Sequence, residues 1–217
     1  MVEKSPSILY VKHDDHPYTY VVAENVSAED YMAHYAHDHH EWVKGYVLKM
    51  TPVSGTHDDK VRYLRTLIDA YFTFRQIGMT RAEPFVLKLP ESRREPDIQV
   101  ILNESLPRLT ETYMESPVDV CIEVVSPESG PRDYGEKMLE YEAGGVREYW
   151  IIDPVRARGT FYRRNDTGLY DHIAPDDTDT YHTPLLPDFG LHVPTLWTTP
   201  LPNLLQIIKN VKKMVDA

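Results

Sequence analysis

Glu95-Pro96-Asp97 with the apolar run 98–102, and Cys121-Ile122-Glu123-Val124-Val125-Ser126-Pro127, are the two blocks that decide the reading of this chain. Each puts a carboxylate inside, or at the edge of, a segment that reads as a buried strand. An isolated buried charge costs on the order of several kcal/mol unless something neutralises it. Period-2 alternation sends Glu123 and Val125 to one face of their strand and Val124 to the other. Downstream, Asp133 and Lys137 lie on a short helical segment, and Glu148-Tyr149-Trp150-Ile151-Ile152-Asp153-Pro154 reads as a further buried strand. Two buried carboxylates with a lysine on the next element predict a divalent-cation site, with Asp97 and Glu123 as ligands. A cation such as Mg²⁺ takes oxygen ligands, keeps several waters and needs only one or two carboxylates. The backbone carbonyl of Val124, next to Glu123 on the same strand edge, is a third candidate ligand.

The same residues carry a family resemblance. Pro96-Asp97, Glu123-x-Val125-Ser126-Pro127-x-Ser129, Asp133-x-x-x-Lys137-x-x-x-Tyr141 and Gly145-Val146-x-Glu148-Tyr149-Trp150-x-x-Asp153-Pro154 together resemble the Uma family. That family comprises restriction-endonuclease-like proteins of the PD-(D/E)XK nuclease superfamily. Glu41-Trp42-Val43-Lys44-Gly45 resembles its early Glu…Gly turn, and Thr183-Pro184-Leu185-Leu186-Pro187-Asp188-Phe189 its closing segment. The resemblance implies a divalent-metal-dependent endonuclease acting on nucleic acid, DNA above all, with Mg²⁺ or Mn²⁺ as cofactor. It also exposes a departure, because the superfamily's lysine would stand at position 125, where this chain has Val125. The nearest replacement is Lys137, and the resemblance supports that migrated arrangement. Glu41 and His57 are second candidates, which the resemblance implies could reach the site from the first helical layer.

At 217 residues and 41% hydrophobic content, the chain is expected to form one domain over 1–217. Residues 1–26 read as an N-terminal extension and about 41–154 as the catalytic core. No run of about 18 apolar residues suggests a membrane span. Met1-Val2-Glu3-Lys4-Ser5-Pro6 lacks the basic and apolar regions of a secretory signal, which points to the cytoplasm. The single cysteine, Cys121, rules out an internal disulfide and reads as a buried inert thiol. The net charge of −11 argues against non-specific coating of nucleic acid, since phosphate contacts supply that affinity. A nuclease remains compatible with it, because a metal and nearby arginines set the local field. Arg93 with Arg94, and Arg156, Arg158, Arg163 and Arg164, read as solvated loop and hairpin charges.

Short strands are predicted near 8–11 and 18–22, and Ser27 with Asp30 has capping-box spacing for a helix to about 36. His34, His37, His39 and His40 cluster at its end, either as a zinc site or as solvated helix-end residues. A strand over 45–50 precedes a helix over 57–77, with Val61, Leu64, Ile68, Tyr71 and Phe72 at helical spacing and Gly78 as its C′ residue. Strands follow over 84–89, 97–102 and 118–125, with a surface connection between the last two. An amphipathic helix over 132–143, with Met138, Leu139 and Tyr141 inward, leads to the strand over 149–152. Asn165-Asp166-Thr167-Gly168 reads as a hairpin turn, and 203–215 as a final helix with Leu204, Ile207, Ile208, Val211 and Met214 on one face. This order predicts an α/β fold with a central mixed sheet flanked by helices, an added hairpin and a C-terminal helix. The resemblance implies a restriction-endonuclease-like core.

Three readings of function compete. In the first, Asp97 and Glu123 hold the cation while Lys137 positions water or offsets phosphate charge. Cleaving both strands of a duplex would then favour a two-fold homodimer. In the second, the fold is a catalytically inactive module that binds DNA or a protein partner, as Val125 and the net charge would allow. The third, a zinc-binding regulatory module, lacks cysteine ligands. Lys137 has a simpler alternative too, a solvent-exposed i, i+4 pair with Asp133. Glu148 and Asp153 read as structural strand-end residues, and Tyr149 and Trp150 as core.

Overall fold

The computed structural model describes residues 11–12, 20–127 and 129–216. Two sheets dominate. The first has the strand order β1 (Val11–Lys12), β2 (Tyr20–Ala23), β4 (Tyr46–Lys49), β3 (His40–Val43), β7 (Ser92–Arg94), β6 (Val86–Lys88) and β9 (Tyr113–Glu115). In the second the order is β13 (Tyr170–His172), β12 (Arg158–Arg164), β11 (Glu148–Asp153), β10 (Val120–Val124), β8 (Ile98–Leu102) and β5 (Gly78–Ala82). A small pair, β14 (Thr180–His182) and β15 (Gly190–His192), stands apart. Strands β10 and β11 run parallel while β10 and β8 run antiparallel, so the second sheet is mixed.

Both faces of that sheet are covered, which is why β10 and β11 are buried along their whole length and read as near-continuous apolar runs. On one face, Ile98, Val100, Val120, Ile122, Val124 and Trp150 pack against α2 (Gly55–Phe74) and α5 (Leu204–Val215). Helix α2 presents Leu64, Leu67, Ile68 and Tyr71 inward, and the Ser54 side chain caps it by accepting from the His57 amide. On α5, Ile207 and Val211 are buried, each contributing about 1.5–3 kcal/mol by burial, whereas Leu204 and Leu205 face out. Its apolar stripe thus covers the chain's own core, and Leu204 and Ile208 of the expected face are exposed.

The opposite face packs Ile101, Cys121, Val125, Tyr149 and Ile151 against Tyr141 of α4 (Glu136–Ala143) and against Leu87 and Met114 of the first sheet. Alternate residues of one strand therefore serve two cores. This alternation gives Glu123 its face, the one that it shares with Cys121 and Val125.

Several expectations are corrected here. The helix expected over 132–143 is broken at Gly135 into α3 (Gly130–Tyr134) and α4, and a Cβ at Gly135 would meet the Pro131 carbonyl oxygen at 2.8 Å. Leu139 points to solvent. Arg75, not Gly78, is the C-cap of α2, while Gly78 opens β5. The connection between β8 and β10 contains β9, whose Met114 is fully buried. Of the first predicted strands, residues 8–10 and 18–19 lie outside the described residues, and β1 pairs with β2. The short helix capped by Ser27 forms as α1 (Ala28–His34), and the hairpin β12–β13 forms as read.

Gly78 is required by close approach, since a Cβ there would lie 2.6 Å from the Ile101 carbonyl oxygen and 3.0 Å from Phe72. Backbone cannot yield as a flexible side chain can. Gly78→Ala is expected to destabilise the fold by about 1–3 kcal/mol, measured as a lowered urea midpoint at unchanged m-value.

Candidate functional site

Two strand ends set the site. The antiparallel register of β8 with β10 pairs Val100 with Val120, Gln99 with Cys121 and Ile98 with Ile122. One further step brings Asp97 level with Glu123, on the same face. Asp97 is held from two sides, because its Oδ2 accepts from the Val124 N–H at 2.6 Å and its Oδ1 lies 3.1 Å from His57 Nε2. His57 sits in the first turn of α2, with its amide donated to Ser54 Oγ at 3.2 Å. Glu123 Oε1 accepts from the Tyr141 hydroxyl at 2.6 Å and pairs with Lys137 Nζ at 2.8 Å.

Asp97, Glu123, Val124, Lys137 and His57 all line one cavity of about 260 Å³. Its walls come from the loop 50–54 before α2, the ends of β8 and β10, and α3 with α4. Lys137 is buried, with Nζ also 3.6 Å from Asp133 Oδ1 and 3.7 Å from Glu41 Oε1. The solvent-exposed Lys137–Asp133 pair is therefore corrected: both partners lie inside the protein.

Glu41 belongs to strand β3, not to a helical layer, and stands behind Lys137 rather than on the cavity wall. Its Oε2 accepts from Arg94 Nη1 at 2.8 Å and its Oε1 from the Glu95 amide at 3.2 Å. Arg94 is fully buried and also binds Glu140 through Nε and Nη2, at 2.7 and 2.8 Å, which corrects its reading as a loop charge. The chain of ion pairs Glu140–Arg94–Glu41–Lys137–Glu123 thus ties the first sheet, α4 and β10 together.

Three cavity residues escaped the sequence reading. Glu83, after β5, offers a carboxylate oxygen that lies with donor atoms of His57 and Asp97 inside one 4.8 Å cluster. Glu95 is buried, with Oε2 at 3.0 Å from His39 Nδ1 and Oε1 unpartnered. His39 was read only as part of a histidine cluster, and Glu95 only as the start of Glu-Pro-Asp. Nothing local in Glu83-Pro84 distinguishes it from an ordinary turn. The zinc reading of the histidine cluster finds no support, because His34 and His37 are exposed and the one metal-capable group among the described residues is His57, Glu83 and Asp97. Elsewhere, Glu148 is held by Arg163, Thr183 and Tyr181, and Asp153 by the turn amides of Val155 and Arg156.

The electrostatics are lopsided. Glu83, Glu95, Asp97, Glu123 and Asp133 line the cavity, against Lys137, Arg132 and two histidines. Burial, and then Asp97, push Glu83 up to about 7. Burial likewise raises Glu95 and Asp133. It raises Glu123 too, with Asp97 adding to the effect and Lys137 opposing it. For Lys137 burial works against the charge, but Glu123, Glu41 and Asp133 more than restore it and hold the ammonium protonated. Glu41 shows the converse, with burial overcome by Lys137 and Arg94, so that it stays well below the carboxylate range. Burial pulls His57 down, but the bond to Asp97 and the charges of Asp97, Glu83 and Glu123 together outweigh it, so His57 is raised.

These residues fit a divalent cation. Donor atoms bound to one ion at about 2.0–2.6 Å lie no further apart than about 5 Å, the spread of the His57–Glu83–Asp97 cluster. The surplus of buried carboxylates supplies the charge that a cation offsets.

A mixed sheet flanked by helices, with carboxylates and a lysine gathered at the strand ends, defines the restriction-endonuclease-like class. Residues 28–194 match the family described as "Uma2: Putative restriction endonuclease", and the chain belongs to that family. It is similar to the structure titled "a putative nuclease belonging to DUF820" from Anabaena variabilis, with a TM-score of 0.66 and 17% identity, covering 79% of this chain and 97% of that one. Among curated proteins it is 25% identical over 131 residues to the "Uncharacterized membrane protein MJ1061" of Methanocaldococcus jannaschii, a match covering 59% of this chain and 38% of the relative. Among the described residues no helix is long and apolar enough to cross a membrane.

The raised carboxylates make a prediction about pH. Between about pH 5 and 7 an unfolded chain has released the Glu83 proton that the folded protein retains, so stability falls as pH rises. Glu95, Asp133 and Glu123 act in the same direction, and so do His39 and His57 above their ordinary value. Thermal midpoints of chelator-treated protein should drop across this window, and a saturating divalent cation should flatten the slope. A midpoint that rises with pH in chelator would contradict this electrostatic picture.

Proposed function

We propose that this protein is a divalent-metal-dependent endonuclease that hydrolyses phosphodiester bonds in DNA, with Mg²⁺ or Mn²⁺ as cofactor. One observation carries the proposal. Asp97, the residue that precedes β8, and Glu123 of the neighbouring strand β10 meet at the wall of one cavity, with Lys137 Nζ 2.8 Å from Glu123. The family description supports the same reading.

In this reading Asp97 holds the cation together with His57 and Glu83, whose donor atoms cluster with its own. Glu123 and the Val124 carbonyl, outside that cluster, are the further candidate ligands from the same cavity wall. When bound, the cation supplies Lewis acidity and offsets charge on the phosphate. The residues of the chain do the rest. Asp97 is kept in one rotamer by the Val124 N–H. Tyr141 donates to Glu123 Oε1 and so fixes the side of the carboxylate that faces Lys137. The Lys137 ammonium, kept charged by three carboxylates, orients the attacking water by hydrogen bonding and opposes the negative charge that grows on phosphorus-bound oxygen. Water oxygen bonds to phosphorus as the bond to the leaving sugar oxygen breaks, and the leaving oxygen gains a proton. Lys137 thereby takes the place of the lysine that Val125 does not provide. Cleavage of both strands calls for two such sites, so a two-fold homodimer belongs to the proposal.

Single-turnover cleavage of supercoiled plasmid separates these roles. Lys137→Ala should lower the cleavage rate by about 10²–10³ while leaving cation affinity nearly intact. Asp97→Ala or Glu123→Ala should weaken cation binding itself, with partial rescue at high Mn²⁺. Near-wild-type cleavage by Lys137→Ala would remove the migrated lysine from the mechanism.

A further inference from the structure

We propose that the cavity discriminates among divalent cations, taking Mn²⁺ or a later transition ion in preference to Mg²⁺, because His57 contributes a fixed imidazole nitrogen to the site. The inference rests on the cation-dependent reading above and narrows it to one class of ion.

The donor set is mixed. One ring nitrogen of His57, one oxygen of Asp97 and one of Glu83 fall within 4.8 Å of one another, which suits a single ion. Mg²⁺ demands near-ideal octahedral oxygen coordination and gives up its waters reluctantly. An imidazole adds little for Mg²⁺, while affinity of nitrogen-containing sites rises from Mn²⁺ through Fe²⁺, Co²⁺ and Ni²⁺. A purely carboxylate set would leave the choice to availability; an obligatory nitrogen does not.

The imidazole is obligatory because it cannot move aside. His57 lies in the first turn of a 20-residue helix, its amide tied to Ser54 Oγ, and its side chain is only 6% exposed. Asp97 is equally fixed, through the Val124 N–H at 2.6 Å. Glu83 differs. It follows β5 on a connecting segment with a quarter of its side chain exposed, and it can adjust to the radius of the ion. Two rigid donors and one adjustable donor set the element preference, and the adjustable carboxylate completes the charge. Glu95, also on the cavity wall with an unpartnered buried oxygen, adds negative potential without competing for this cluster.

Cation binding by the chelator-treated full chain tests this without reference to activity. Free Mn²⁺ is read by its room-temperature electron paramagnetic resonance signal, and Mg²⁺ by its competition against Mn²⁺. Wild type should bind Mn²⁺ at least about tenfold more tightly than Mg²⁺. His57→Gln sets a carbonyl oxygen near the position of Nε2. It should reduce Mn²⁺ affinity by about tenfold and Mg²⁺ affinity far less, so that the preference collapses. Glu83→Gln should weaken both ions together. Circular dichroism establishes that each variant is folded, and His57→Asp replaces His57→Gln if the latter is not. Equal wild-type affinity for the two ions, or a preference unchanged in a folded His57 variant, overturns the inference and leaves the cation-dependent nuclease reading in place. Binding of neither ion by wild type overturns both.

Discussion

A single buried ammonium, that of Lys137, faces three carboxylates at once, and the rest of the site is arranged around that shortage of positive charge. Glu123 lies 2.8 Å from Nζ, Asp133 3.6 Å and Glu41 3.7 Å. Arg94 relieves Glu41 from behind and is held in turn by Glu140 and Glu136. Every group in this chain of pairs hydrogen-bonds or touches an opposite charge, which is the condition for keeping ions in a core at all. On the cavity side the relief stops. Asp97, Glu83 and Glu95 have histidines for partners, and one oxygen of Glu95 has none. The deficit lies at the cavity, where a small cation fits.

The scaffold explains why the groups stay there. Strand β10 is covered on both faces, so the orientation of Glu123 is fixed by the alternation that sends Ile122 and Val124 into one core and Cys121 and Val125 into the other. A slip of one residue would exchange every one of those side chains between faces. Asp97 gains its position from the same sheet through the Val124 amide. Lys137 comes from α4, whose Tyr141 packs under Tyr149 and donates to Glu123, so packing and chemistry share one helix. Val125, where the superfamily pattern has its lysine, is simply part of the second core.

What the sequence made legible follows the same division. Long apolar segments and carboxylates embedded within them were readable, because periodicity and the cost of burial both leave local marks. The two central strands, helix α2 and the Asp97–Glu123 pair belong to that group. Short strands were not. Ser92-Arg93-Arg94 has no apolar residue, and Arg94 is buried only because Glu41 and Glu140 reach it from distant elements. Glu83 and His39 are likewise defined by what stands across the cavity rather than by their neighbours in sequence. The helix break at Gly135 was missed because Met138 and Tyr141 keep helical spacing within their own segment, whereas the break depends on a close approach to the Pro131 carbonyl.

The central claim is that the buried carboxylates at this cavity exist to hold a divalent cation, and the most direct measurement is anomalous scattering from a crystal of the wild-type chain soaked in Mn²⁺. The account predicts a peak in the cavity, about 2.0–2.6 Å from an oxygen of Asp97 and within the donor cluster it forms with His57 and Glu83. A saturated crystal with no peak in the cavity, or with its only peak away from Asp97, would contradict it.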